Sequence, residues 1–143
     1  MPSTIYTATD VKERRVELLE AASRDRALVR AVDGTALVFT RLDTLERVES
    51  VAQWALALHT IEAGATPSSV RWVQHLDADD RATFVTEMWS ALEELDSGAL
   101  DQAGLEELVA AWRATSLAVA DPKRRQVLTG RADERDFVPA ARP

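Results

Sequence analysis

The chain has 143 residues, with 17 Lys and Arg against 24 Asp and Glu, for a net charge of -7. Its 46% apolar and 29% charged content excludes the disordered class and fits one domain, or a small domain with an extension. No cysteine is present, which excludes a disulfide framework, a thiol nucleophile and a Cys-based zinc site.

In chain order, Ser3 to Ala8 reads as a strand. Asp10 and Glu13 form an Asp-x-x-Glu helix start, and Val11, Leu18, Leu19 and Ala22 recur at helical spacing. Arg15 falls on that same apolar face of the wheel. Asp25 and Arg26 break the pattern. Ala27 to Val32, the Asp33-Gly34 turn and Thr35 to Thr40 then read as a hairpin. Alternation puts Leu28, Arg30 and Val32 on one face of the first hairpin strand, so a helix covering the other face leaves Arg30 on the open one.

Asp43 and Glu46 repeat the Asp-x-x-Glu start. The helix that follows carries a stripe of Leu45, Val48, Ala52, Ala55 and Leu58, with Trp54 and Ile61 beside it, and closes at Gly64. Thr66-Pro67-Ser68-Ser69 reads as a linker and a module boundary. Helices are expected from Ser69 to Leu76, from Asp79 to Leu95, from Gln102 to Ala120, and from Pro122 to Leu128. The expected organisation is residues 1–65 as one domain, 66–130 as a helical module and 131–143 as a flexible tail. The expected class is α+β: a three-stranded antiparallel sheet with helices, then an all-helical extension. A sheet covered by one or two helices is a thin core for about 64 residues, so a homodimer is expected.

Chemistry-bearing signals are sparse. His75 precedes Asp77, Asp79 and Asp80, but acidic residues at a helix start are accounted for by capping and the helix dipole. His59 sits mid-helix. No phosphate loop, nucleophile elbow or His-Glu-x-x-His motif occurs. No enzyme activity, cofactor or metal is expected. Trp72, Trp89 and Trp112 fall among aliphatics at helical spacing and read first as core. In the alternative reading they anchor a protein partner. The N-terminus lacks the basic lead-in and apolar core of a signal peptide, and no run is long enough to span a bilayer, so a cytoplasmic protein without membrane partners is expected.

The charge is uneven. Residues 1–50 hold 8 basic and 9 acidic residues, and residues 51–143 hold 9 and 15. A nearly neutral front end can carry a local basic patch despite the acidic total.

The stretches ATDVKERRVELLEAA and ALVRAVDGTALVF and the Leu42-Asp43-Thr44-Leu45-Glu46 helix start together resemble the Phd/YefM (prevent-host-death) antitoxins of bacterial toxin–antitoxin systems, over about residues 3–64. The family's Ala-Arg at the first helix corresponds to Val11-Lys12, its following leucine to Arg15, and its strand-ending Thr-Arg to Ala31-Val32, with Arg30 two positions earlier. The resemblance implies a dimeric N-terminal domain that binds operator DNA and represses its own operon, with Lys12, Arg14, Arg15 and Arg30 as phosphate contacts. It also implies a C-terminal region that neutralises a cognate toxin. The acidic charge there suits a small basic ribonuclease-type toxin. The alternative is a dimeric interaction or scaffold protein that keeps the fold without binding DNA.

Overall fold

The computed structural model describes residues 4–122. The helix expected beyond Pro122 and the 131–143 tail lie outside the described residues. The fold is α+β, a small sheet followed by helices. Strand β1 (Ile5–Thr7) leads into helix α1 (Ala8–Glu13), helix α2 (Arg15–Arg24), strand β2 (Arg26–Arg30), strand β3 (Ala36–Thr40) and helix α3 (Leu42–Glu62). A short 3-10 segment (Ser68–His75), helix α4 (Ala78–Ser97) and helix α5 (Gln102–Ala120) follow. The chain divides into two units, Met1–Ser50 and Val51–Pro143. The division falls inside α3.

The sheet order is β1-β2-β3. β2 and β3 pair antiparallel, with Leu28 opposite Val38 and Val29 opposite Leu37. β1 pairs parallel to β2, with Ile5 opposite Leu28 and Tyr6 opposite Val29. The sheet is therefore mixed, which corrects the antiparallel expectation. Two helices separate β1 from β2, and a helical crossover brings the chain back in the same direction.

The first helical segment is two helices. Thr7, and not Asp10, is the N-cap of α1; Asp10 takes the third position of a reciprocal capping box. The break falls at Arg14, whose backbone (φ -117°, ψ 32°) closes α1 and opens α2. Tyr6, Leu18, Ala22, Ala27 and Val29 form the core of this unit, with Val11 and Ala21 packed beside them. Leu19, expected inward, is exposed. Every residue of β3 from Ala36 to Phe39 is exposed.

α3 also corrects its expected stripe. Leu45, Val48 and Ala52 face solvent, and so do Leu42 and Leu56 on the same side of the helix. The core side is Trp54, Ala57, Leu58 and Ile61. Spacing alone could not choose, because apolar residues lie on both sides of this helix.

The second unit has a larger core. Phe84 is fully buried, and Trp54, Trp72 and Trp112 meet its ring edge-on at centroid distances of 6.4, 5.2 and 5.7 Å. Met88, Leu92 and Leu95 continue that face of α4, and Leu105 joins it from α5. Asp77 caps α4 through the Asp80 N–H at 2.8 Å, and Asp101 caps α5 through the Gly104 N–H at 2.8 Å. Gly98 ends α4 at φ +83°, the left-handed conformation glycine adopts without strain. Among the described residues no helix is long and apolar enough to cross a membrane.

The convergence of three indoles on Phe84 makes that ring the keystone of the helical unit. Phe84→Ala is expected to lower its stability by about 3–5 kcal/mol. Urea denaturation followed by tryptophan fluorescence measures it directly, since three of the four indoles touch the ring.

Candidate nucleic-acid interface and uncovered apolar surface

Lys12, Arg14 and Arg15 come together at the elbow between α1 and α2. They line a shallow groove of about 420 Å³ with Glu13, Val16, Glu17 and Glu20. Its lining holds three basic and three acidic side chains, so it is locally neutral. Arg15 opens α2 and is exposed. Arg15 keeps its helical spacing to Leu18 and Ala22 within α2 but is exposed at the first position of that helix, and the break at Arg14 separates it from Val11 of α1.

Arg14 is engaged within the elbow. Its Nε donates to Glu17 Oε2 at 3.0 Å, and a second guanidinium nitrogen donates to Glu17 Oε1. A third lies 3.6 Å from Asp10 Oδ1, and the guanidinium sits 5.3 Å from the Tyr6 ring centroid. The Glu17 carboxylate, by hydrogen bond and charge, raises the Arg14 pKa above its ordinary value. Asp10 Oδ2 accepts from the Thr7 N–H at 2.7 Å and the Thr7 hydroxyl at 2.8 Å. A polar chain Thr7–Asp10–Arg14–Glu17 thus ties the end of β1 to both helices.

Arg30 does not join this group. Ala27 and Val29 turn into the core beneath α1 and α2, so Arg30 projects from the opposite face of the sheet, in agreement with strand alternation. Arg26 stands on that same face, two positions before Leu28 and four before Arg30. In the sequence Arg26 reads only as a pattern breaker; counting back along the strand from Arg30 is the signal that finds it. Among the described residues Lys12, Arg15, Arg26 and Arg30 form no ion pair, whereas Arg14, Arg24 and Arg41 do.

The open sheet face carries a row of Ile5, Leu28 and Val38, paired across the three strands and flanked by Arg26 and Arg30. Ile5 and Val38 are exposed and Leu28 is half-buried. Leu42, Leu45 and Val48 on α3 are exposed as well.

Trp72, Trp89 and Trp112 are half-buried against the helical core. Trp72 abuts Phe84. The Trp89 indole donates to Glu62 at 3.3 Å, and that of Trp112 to Glu87 at 2.8 Å. Both donors are therefore satisfied within the unit. His59 and His75 are exposed, Asp77 is occupied as a helix cap, and among the described residues no three His, Asp or Glu side chains gather as a metal site would require.

The chain matches no family model, no curated protein and no solved structure.

The Thr7 hydrogen bonds, backbone first, lower the Asp10 pKa below its ordinary value near 3.8. A lowered folded pKa means that Asp10 contributes stability above the unfolded value, and loses it as pH falls through the folded one. Thr7→Ala removes the hydroxyl donor and is expected to move the Asp10 titration upward. Carboxyl NMR titration of the two proteins checks the direction.

Proposed function

We propose that this chain is an antitoxin of the Phd/YefM kind. Its N-terminal unit pairs with a second copy and binds operator DNA, and its acidic helical unit binds and neutralises a small basic toxin. The observation that carries this reading is the uncovered apolar surface of the N-terminal unit. Its buried core is five residues, while Leu37, Val38, Phe39, Leu42, Leu45 and Val48 stand exposed. A unit of this size rarely holds itself together on so small a core, and a second copy is the partner always present with the chain.

Pairing duplicates the free cations Lys12 and Arg15. Phosphate neutralisation needs clustered positive charge, and two copies supply it where one neutral groove does not. Arg14 contributes as the organiser of the elbow, since its charge is already met by two carboxylates. In the helical unit, residues 51–143 hold 9 basic and 15 acidic residues. A toxin that cleaves RNA presents a basic surface to phosphate, and an acidic helical surface complements it.

The second reading is a dimeric interaction protein that does not bind DNA. The neutrality of the elbow groove and the placement of Arg30 on the opposite sheet face favour it.

A mobility-shift assay with DNA from upstream of the gene decides between them. Under the antitoxin reading the wild type retards that DNA. Lys12→Ala and Arg15→Ala each weaken binding and flatten the slope of log K against log salt by about 0.9 for every phosphate no longer neutralised. Arg30→Ala leaves the slope unchanged. Absence of retardation at low salt selects the second reading. Co-expression with the neighbouring gene product, followed by co-purification, tests the toxin-binding half separately.

A further inference from the structure

Among the described residues of the N-terminal unit two apolar surfaces stand exposed, and they differ in charge. The first is the open sheet face, where Ile5, Leu28 and Val38 form a row beside the unpaired Arg26 and Arg30. The second is the exposed stripe of Leu42, Leu45 and Val48 at the start of α3, beside the exposed Glu46 and Glu49. One surface is apolar with basic flanks and the other apolar with acidic flanks.

The two do not meet within one chain. Only Arg41 separates β3 from α3. Connections that fold a helix back over its own sheet usually take about 2–6 residues. A single residue leaves little room for that reversal, and Leu42, Leu45 and Val48 accordingly stay exposed. In a two-fold dimer, by contrast, any surface of one copy that fits a different surface of the other makes the contact twice.

Resting on the self-association proposed above, we propose that the dimer forms by reciprocal exchange. The first two turns of α3 from each copy cover the open sheet face of the other, with Glu46 and Glu49 set against Arg26 and Arg30. Each copy then buries both apolar surfaces at once. The arrangement also assigns Arg30 to the protein–protein interface and leaves Lys12 and Arg15, on the other side of the sheet, free for an anionic partner.

Size-exclusion chromatography with light scattering on the full chain tests this. The wild type is expected to be a dimer, and Leu45→Lys to shift it to monomer. Arg26→Glu/Arg30→Glu and Glu46→Arg/Glu49→Arg, by placing like charges together, are each expected to raise the dimer dissociation constant at least about tenfold. The quadruple variant, with both sets reversed in one chain, restores dimerisation, which a variant that merely misfolds cannot do. Far-UV circular dichroism confirms that each protein is folded. A dimer indifferent to all the charge reversals overturns the exchange while leaving self-association standing. Failure of the quadruple variant to regain dimerisation, with the fold intact, overturns it too. A monomeric wild type overturns the self-association itself.

Discussion

The constraint on which the N-terminal half of this protein depends is the mismatch between its apolar surface and its core. Tyr6, Leu18, Ala22, Ala27 and Val29 are the buried set. A comparable number of large apolar side chains on β3 and α3 remain in water. At about 25 cal/mol per Å² of apolar surface, leaving several such residues exposed forgoes a substantial part of the free energy that holds a small unit together. β3 adds a second liability. It is an uncharged edge strand, ALVFT, with no Lys, Pro or bulge to discourage pairing. Natural chains that lack such protection generally have something that covers the edge.

The helical half rests on a different balance. Phe84 fills the middle, three indoles close around it edge-on, and the aliphatic face of α4 extends the core. Trp89 and Trp112 turn their N–H groups to the acidic residues Glu62 and Glu87 at the border of that core. Most of the large apolar side chains described in this unit pack within it. Its acidic residues outnumber its basic ones, 15 to 9 over residues 51–143.

Charge in the elbow shows why composition and local sequence are poor guides to potential. Lys12, Arg14 and Arg15 look like a basic cluster, yet Glu13, Glu17 and Glu20 line the same groove. Arg14 is held by Glu17 and Asp10 and laid over Tyr6. Its role is to connect β1, α1 and α2, and among the described residues the two cations beside it form no ion pair. A similar local pairing operates at the start of α3, where the Arg41 guanidinium holds the Asp43 carboxyl down to about 2.

The sequence by itself determined the elements whose signals are local. The Asp33-Gly34 hairpin, the span of α5 and the Gly98 stop follow from turn chemistry and helical periodicity. The alternation of β2 also placed Arg30 on the open side. Tertiary structure decided the rest, for three reasons. Strand direction depends on what connects the strands, so β1 joined the sheet parallel. The elbow at Arg14 splits what reads as one helix, and the Tyr6 ring beside the Arg14 guanidinium belongs to β1, outside any helical wheel. α3 has apolar residues on two sides, so only the packing of Trp54, Leu58 and Ile61 could show that Leu45 and Val48 face outward. Periodicity reports that a face is apolar; which surface covers it is a property of the folded chain and its partners.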